Sequence, residues 1–580
     1  MMTLKLDLAQ IPFSRRGSYL AVSARPSSRA DSPPVLWIRS VREVFRPSQL
    51  LRLETLRHGA VCRYTCQVEP GCLSLLVEGG GCVDITFDGP DTLRFRVLGC
   101  TLHLSSSGGG VGEGADSLSQ VTPAGIGRWR LVCGAASLAF LQKLAGHVTV
   151  QADWTGLGST HNTILIAGET EPAEAAFCDG SGIECEKSDG KPFDACVRLN
   201  RADFDEFLAA QLPCQEDYEE TRRLAAYLNW SCLVAPDGFL CRQSMLMSKN
   251  VMTALWSWDH CFNALALRRS SPELAWDQFL APFDHQNRQG ALPDLICSRM
   301  MVRTYVKPPI HGWAFRQLWQ AAPAFFTRER LIEAGDKLAR LTDFWMTHRD
   351  PYGAGLPVYY HGNDSGWDNS TCFLAGSPLT SPELPAFLVI QMETIAEIAA
   401  ATGESAKAES WRTRARNLLD RMLAMLWKNG TWRVLTPATP ESVPPPGSDS
   451  LLPYVALVLG DRLPAEIRCA SIAQMTEAGR FLTPYGLATE SRRSPYYVAD
   501  GYWRGPIWAP STLLIVDGLE RAGEMKLARS LARAFCDLCR GNGLAENFDA
   551  GTGAGLRDRG YTWTASVFLE LASRLHLSDK

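Results

Sequence analysis

Along the first third of the chain apolar and polar positions alternate, and beyond it the period lengthens. Between Ser18 and Asn200 the segments SYLAVSA, VLWIRSV, CLSLLVE, CVDITFDG, TLRFRVLG, TLHLSS, RWRLVCG, HVTVQADW, NTILIAG and DACVRLN are short, rich in Val, Ile, Leu and Thr, and parted by Gly, Pro, Asp or Ser. A period of two marks strands with one buried face, and many such strands at close spacing predict an antiparallel β-sandwich. After Arg201 apolar residues recur every three or four positions. Leu331, Ala334, Leu338, Leu341 and Trp345 make one stripe, and Trp411, Ala415, Leu418, Met422 and Met425 another. The first stops at Pro351 and Gly353 and the second at Asn429-Gly430; between them Ser381-Pro382-Glu383 caps a helix that ends at Thr402-Gly403. Further helices are predicted over roughly 217–230, 257–269, 272–281, 312–322, 449–459, 464–478, 508–521, 524–540 and 562–576.

This makes about twelve helices, with tight turns such as Thr402-Gly403-Glu404 and Ala522-Gly523 joining neighbours as antiparallel hairpins. Six hairpins close most simply into an (α/α)6 barrel. The expected chain is therefore multidomain, an N-terminal antiparallel β-sandwich over 1–205 followed by a barrel over 206–580.

At 580 residues the chain exceeds what one core serves. Its 58 basic and 62 acidic residues leave a net charge of only -4, which argues against nucleic acid or an anionic membrane as partner. Asp7 and Gln10 interrupt the only apolar stretch near the N-terminus, and no run of about 18 apolar residues occurs, so neither an export signal nor a membrane span is expected and the expected location is the cytoplasm. The 18 cysteines are expected as reduced, mostly buried thiols. Cys536-Asp-Leu-Cys539 has no second pair at metal spacing, no H-E-x-x-H or complete calcium loop occurs, and His260, His285, His311 and His361 are well separated; no metal or other cofactor is expected. The glycine cluster from Gly108 to Gly114 lacks the Gly-Lys-Ser/Thr of a phosphate loop, and Ser365 lacks a G-x-S-x-G setting.

If tight turns close one end of a barrel, the longer connections gather at the other. The connections 242–260, 286–313, 361–371 (HGNDSGWDNST), 486–508 and 541–563 combine carboxylates with Trp, most of them with Gly or Pro and with Arg or Lys as well. Aromatic faces stack on the C–H faces of sugars while carboxylates, amides and guanidinium groups engage hydroxyls, so a small carbohydrate is the expected partner. Glycosidic cleavage needs two carboxyl groups, one protonated and one ionised. Asp368 and Glu546 are the candidates: Trp367 would desolvate Asp368 and raise its pKa, while groups beside Glu546 would hold it ionised. From local sequence alone, each could equally cap a helix or pin a loop. Trp313, Trp367, Trp503 and Trp508 would shape the pocket, and Gln286, Asp294 and Arg504 would meet hydroxyls. Lys307, Arg299, Arg303 and Arg504 could instead recognise an anionic aglycone such as glycerate.

Trp258-Asp259, Pro308-Pro-Ile-His-Gly-Trp313, Ser365-Gly-Trp-Asp-Asn-Ser370, Tyr502-Trp-Arg-Gly-Pro-Ile-Trp508, Glu546-Asn-Phe548 and Tyr561-Thr-Trp563 resemble, in that order, the signatures of glycoside hydrolase family 63 and its mannosylglycerate-hydrolase-like bacterial members, and more distantly those of trehalases. The likeness runs from about Tyr218 to Leu575. It implies an (α/α)6 catalytic barrel behind a β-sandwich and inverting hydrolysis of an α-linked glucoside: a small oligosaccharide, a disaccharide or a glycosylglycerate. It also implies that Asp368 is the general acid, Glu546 the general base, and Trp258 with Asp259 the grip on the cleaved sugar. Asp364 and Thr371 depart from the family pattern, which has Glu before Ser-Gly and Pro or Arg soon after Asn-Ser. The same barrel also serves trehalase-like hydrolysis and phosphorolysis, and a non-catalytic carbohydrate-binding role would keep it without needing both carboxyls.

Overall fold

The computed structural model describes residues 4, 6–25, 35–44, 48–106, 119–133, 137–156, 158–159, 161–180, 190–436, 439–442 and 444–578. Up to Gly180 the alternating segments form two antiparallel sheets. One, of seven strands, has the spatial order Leu20–Arg25, Val35–Ser40, Ser48–Arg57, Thr101–Ser106, Asn162–Ala167, His147–Ala152, with Ala60–Cys62 paired to Ser48–Arg57. The other, of eight, has the order Ser119–Pro123, Arg128–Cys133, Ser137–Ala145, Ala173–Gly180, Thr92–Leu98, Cys82–Phe87, Cys72–Val77, Tyr64–Glu69. Alternate side chains of both, among them Leu51, Leu53, Leu102, Leu104, Ile164 and Ile166 from the first and Leu73, Leu75, Val83, Ile85, Leu93 and Phe95 from the second, share one buried cluster. Register holds this cluster together, because a slip of one residue would turn every one of these side chains outward. The glycine cluster from Gly108 to Gly114 lies outside the described residues.

The segment DACVRLN is not a strand. It belongs to helix α1, Phe193–Ala210, whose buried residues Phe193, Cys196, Asn200, Phe204, Phe207 and Leu208 recur at three and four. Seven residues are too short a window to separate the two periods. Helix α1 packs on the strand Cys82–Phe87 and on α2, Glu219–Cys232, so it bridges the strand-rich and helical regions.

The helices that follow are α3 (Asp259–Leu267), α4 (Pro272–Leu280), α5 (His311–Ala321), α6 (Arg328–His348), the single turn α7 (Gly362–Ser365), α8 (Glu383–Ala401), α9 (Ser405–Leu426), α10 (Ala465–Met475), α11 (Ala509–Arg521), α12 (Met525–Asn542) and α13 (Thr562–Ser578). The helix expected over 449–459 is a 3-10 segment, Leu452–Arg462, with Pro453 in its first turn and Gly460 at φ 60° inside it. Packing closes into a cycle: α3 on α5, α5 on α8, α8 on the 3-10 segment, that segment on α11, α11 on α13, and α13 on α3. Around it, α2 packs on α13, α4 on α3, α6 and α9 on α8, α10 on the 3-10 segment, and α12 on α11 and α13. Every short connection leads from an inner element to an outer one, and every long loop leads back in, so the long loops collect at one end.

Helix α8 meets the length and composition of a membrane span, contrary to the sequence reading, but 78% of its most apolar window is buried inside the protein. It touches inner and outer neighbours on several sides, which explains an apolar run with little amphipathic contrast. Among the described cysteines sixteen are free and eight of these buried, whereas Cys178 is disulfide-bonded, against the expectation of reduced thiols throughout.

The strand-rich region grips the helical one through buried cations. Arg39 donates to Ser23 Oγ (3.2 Å) and to the carbonyls of Lys249 (3.2 Å) and Asn250 (2.7 Å), while Lys249 Nζ donates to Ser14 Oγ at 3.0 Å and the Arg15 carbonyl at 3.3 Å. Inside the cycle, α5 meets α8 so closely that a Cβ on Gly312 would lie 2.3 Å from Gln391 Cα, a backbone atom with no room to give. Gly312→Ala is therefore expected to cost about 1–3 kcal/mol. A lowered melting temperature at unchanged helical content would register it, and an unchanged one would contradict the close approach.

Candidate active site

Four of the long loops each bring a carboxyl group to one set. A small ribbon, Leu255–Trp256 with Leu295–Ile296 and Met301–Val302, sets the first two. Asp294 lies just before its middle strand and Asp259 opens α3, with the Ser257 amide donating to the Asp294 carbonyl at 3.2 Å. Downstream of the ribbon, Lys307 is buried with its Nζ 3.3 Å from Asp294 Oδ1, 3.8 Å from Asp368 Oδ1 and 2.8 Å from the Asn363 carbonyl.

The loop that bears Asp368 folds tightly because two glycines allow it. A Cβ on Gly362 would sit 2.1 Å from the Asp368 carbonyl oxygen. Gly366, at φ 73°, presses on Trp258, whose Cζ2 would lie 2.5 Å from its Cβ. The Asn363 amide, oriented by its hydrogen bonds, donates to Asp368 Oδ1 at 2.7 Å and Oδ2 at 3.2 Å. Asn369 fastens this loop to 501–504: its Nδ2 donates to the Gly501 carbonyl (3.0 Å), its Oδ1 accepts from the Trp503 amide (2.9 Å), and its carbonyl accepts from Arg504 Nε (2.7 Å). The stitch presents Tyr502 to Asp368, with which its phenol is hydrogen-bonded. Tyr502 holds φ 64°, a left-handed backbone that a tyrosine rarely adopts, and Arg557, at φ 59°, places its guanidinium 5.1 Å from the Tyr502 ring centre.

Glu546 arrives from the last long loop. Its amide donates to the Asp558 carbonyl at 2.7 Å, and its carbonyl accepts from Trp563 Nε1 at 3.2 Å. The Asp558 carboxylate is tied in turn to Ser248 Oγ at 2.5 Å and the Val251 amide at 3.1 Å. Tyr502 and Tyr561 both feel the charges of Glu546 and Asp259, and Tyr502 also that of Asp368, so all three carboxyls face one space. The Asp368 side chain is 30% exposed, while Glu546 and Asp259 are nearly enclosed.

Burial governs the protonation of the set. It pushes Asp259 up to about 8 against the pull of Lys307. It pushes Asp368 up as well, with Lys307 and the Tyr502 hydrogen bond opposing. Glu546 rises to about 8 through burial and the nearby Asp558, with Arg557 opposing; the expectation that its neighbours would hold it ionised is overturned, because desolvation outweighs them. Burial also works against the charge on Lys307, but Asp368, Asp294 and Asp259 together raise its pKa. Among the described residues Asp259 Oδ2 accepts no hydrogen bond although it is buried, which suits it to a hydroxyl donor.

Five indoles back the pocket. Trp367 stacks on Trp503 at 4.6 Å and 29°, Trp503 on Trp508 at 4.0 Å and 5°, and Trp563 stands edge-on to both Trp258 (6.2 Å) and Trp508 (5.4 Å). The structure thus gathers Asp368, Glu546, Trp258, Asp259, Asp294, Trp367 and Trp503. Four predicted residues, Gln286, Trp313, Trp508 and Arg504, serve elsewhere. Gln286 donates its amide to the carbonyls of Gly290 (2.9 Å) and Lys337 (3.0 Å), pinning its loop to α6. Trp313 donates to Asp517 Oδ2 at 2.7 Å within the helical core. Trp508 is wholly buried behind Trp503 and donates to the Tyr502 carbonyl at 2.9 Å. Arg504 holds the loop stitch. Tyr502, Tyr561, Asn363, Asn369 and Asp558 were not singled out from the sequence, although Tyr502 and Tyr561 open motifs of the resemblance and Asn363 and Asn369 lie in the 361–371 loop.

The mannosylglycerate hydrolase MGH1-like glycoside hydrolase domain matches residues 252–564. A mannosylglycerate hydrolase from Rubrobacter radiotolerans is 24% identical, covering 54% of this chain and 90% of that one. The crystal structure of a family 63 mannosylglycerate hydrolase from Thermus thermophilus, in complex with glucose, aligns at a TM-score of 0.52 with 22% identity, covering 60% of this chain and 98% of that one. A bacterial glucoamylase complexed with acarbose aligns at 0.59 with 11% identity over 99% of this chain and 94% of its own, so its fold spans the strand-rich and helical regions together.

Because the Glu546 pKa climbs from 4.5 to about 8 on folding, its contribution to stability is full below pH 4.5 and is lost as pH rises through about 8. Glu546→Gln cannot ionise. It is expected to melt near the wild type at pH 4.5 and above it at pH 8.5, a gap that thermal unfolding at the two pH values measures; a gap that closes with rising pH would contradict the burial of this carboxyl.

Proposed function

The chain belongs to the mannosylglycerate hydrolase MGH1-like glycoside hydrolases of family 63, and from that premise we propose that it hydrolyses an α-linked glucoside with inversion at the anomeric carbon. The substrate is a small oligosaccharide, a disaccharide or a glycosylglycerate. In this reading the cycle of inner helices with its outer layer is an (α/α)6 barrel over 206–580, and the region 1–205 is a β-sandwich that braces the loops feeding the site.

One observation carries the reading: the Tyr502 phenol bonds to Asp368 while sensing Glu546, so two carboxyls from remote loops border a single pocket. Asp368, at the open side, donates its proton to the glycosidic oxygen. Glu546, deeper, removes a proton from the water that attacks the opposite face of the sugar. Asp259 and Asp294 accept hydroxyl hydrogen bonds, and the Trp258 and Trp367 indoles exclude water from the reacting centre. As the Asp368 proton leaves, Lys307, the Asn363 amide and the Tyr502 phenol stabilise the carboxylate that remains.

The roles require one proton on the pair, and burial presses both members toward the protonated form. Two coupled carboxyls titrate with macroscopic values that belong to the pair, so a bell-shaped pH profile follows whichever of them holds the proton. Variants must therefore assign the roles. Asp368→Asn and Glu546→Gln are each expected to lower kcat by about 100-fold or more. NMR of the first-released sugar from α-linked disaccharides and glycosylglycerates is expected to show the β-anomer. Wild-type turnover in either variant would remove that residue from the chemistry, and release of the α-anomer would overturn inversion.

A further inference from the structure

We propose that the leaving-group side of this pocket takes a neutral sugar ring, seated on the stacked pair Tyr305 and His361, and not an acid such as glycerate. The inference rests on the reading of Asp368 as general acid, since the leaving group must lie beside that carboxyl.

What lies beside it is aromatic. Gly362 packs against the Asp368 carbonyl, and His361, next to it in sequence, lies near enough to bear on the Asp368 carboxyl. His361 Nδ1 accepts from the Asn363 amide at 3.0 Å, which fixes the ring and leaves Nε2 as the protonated nitrogen. That ring is exposed and stacks on Tyr305 at 4.8 Å with 28° between planes. Tyr360, adjoining it, is 43% exposed. An aromatic pair held rigid and open to solvent beside a catalytic acid offers a stacking face and a ring N–H, the complement of a sugar's C–H face and hydroxyls.

The cations needed for a carboxylate are engaged within the protein. Lys307 lies among Asp294, Asp368 and the Asn363 carbonyl. Arg504 holds the Asn369 carbonyl (2.7 Å), Arg349 holds Asp364 (2.8 Å), Arg303 the His285 carbonyl (2.6 Å) and Arg557 Asp500 (2.8 Å). The charge of Arg299 is felt by Asp179, in the strand-rich region. Lys307, the ammonium that lies among Asp259, Asp294 and Asp368, is already shared by these carboxyls and is not left over to pair with an anionic aglycone.

The test separates the two readings. α-Glucosyl fluoride and α-mannosyl fluoride place only fluoride on the leaving-group side, and their turnover tests the glycosidase reading and identifies the cleaved sugar. The disaccharide and the glycosylglycerate of that sugar are then compared. The wild type is expected to show the higher kcat/KM on the disaccharide. Tyr305→Ala is expected to lower the ratio of disaccharide to fluoride kcat/KM by about 3- to 10-fold, mainly through KM, the range an aromatic contact supplies. Tyr305→Phe, which keeps the ring, is expected to retain the wild-type ratio. A wild-type preference for glycosylglycerate, or a Tyr305→Ala ratio equal to the wild type's, would overturn the inference while leaving the glycosidase reading intact. Failure on both fluorides and on both glycosides would overturn the reading itself, and this inference with it.

Discussion

Three aspartates, Asp259, Asp294 and Asp368, share one buried ammonium, that of Lys307, and the rest of the site is arranged around this imbalance. Full ionisation of all three would leave uncompensated charge in a place nearly closed to water, which proteins avoid by shifting pKa values. Burial accordingly raises all three, and it raises Glu546 across the pocket as well. The protonated form is thereby favoured at each carboxyl of the set. The indole wall sustains the condition, because each of its rings is buried and presents the carboxyls with a surface that cannot solvate them. Lys307 keeps the charge finite. It faces Asp368 on one side while Asp294 binds it from the other.

Such a set exists only if loops from distant parts of the chain are located to within tenths of an ångström, and the stitching is mostly backbone. Asn369 commits its side-chain amide and its carbonyl to the 501–504 loop. The left-handed conformations of Tyr502 and Arg557 are the local strain that comes with turning a phenol toward Asp368 and a guanidinium across that phenol. The strand-rich region enters through the same mechanics. Arg39 and Lys249 clamp residues 248–250 to it, Ser248 holds Asp558, and the Asp558 carbonyl holds the Glu546 amide. Hydrogen bonds joined through short stretches of backbone therefore link a buried arginine in a β-sheet to the backbone of the residue proposed as the base.

What could be read from residues alone divides by range. Strands with one buried face and helices with clean stripes were legible, since their periods are local properties; α6 ends close to the predicted stop because Pro351 and Gly353 forbid continuation. Asp194–Asn200 misled because seven residues satisfy either period, and Leu452–Arg462 because an apolar stripe does not distinguish a 3-10 turn from an α-helix. Asp368 and Glu546 could be nominated because carboxylates beside aromatics carry a chemical meaning before any fold is known, whereas Asp259 entered through the family resemblance of Trp258-Asp259. Gln286, Trp313 and Trp508 carry the same composition yet fill structural posts, since polar groups at the foot of a loop are needed to satisfy backbone carbonyls and indole N–H groups. Tyr502, Asn363 and Asn369 were illegible for the opposite reason: their importance lies in partners far along the chain or in an amide's orientation.

The two departures from the family pattern show where substrate identity is not encoded. Asp364 accepts from the Val306 amide (3.0 Å), the Tyr360 amide (2.9 Å) and Arg349 (2.8 Å), and so is filled by the loop it organises. Thr371 donates to Glu490 at 2.7 Å and accepts from Ser448 at 2.7 Å, and Glu490 accepts further from Ser494 and the Asp449 amide. Both positions sit in closed networks behind the carboxyl set, and neither offers an unused donor to a ligand. Exchange at such positions retunes how loops are fastened and leaves the reacting groups in place. In the proposed reading, discrimination among aglycones arises farther out, where the chain is open to solvent. We place that zone at the stacked pair Tyr305 and His361.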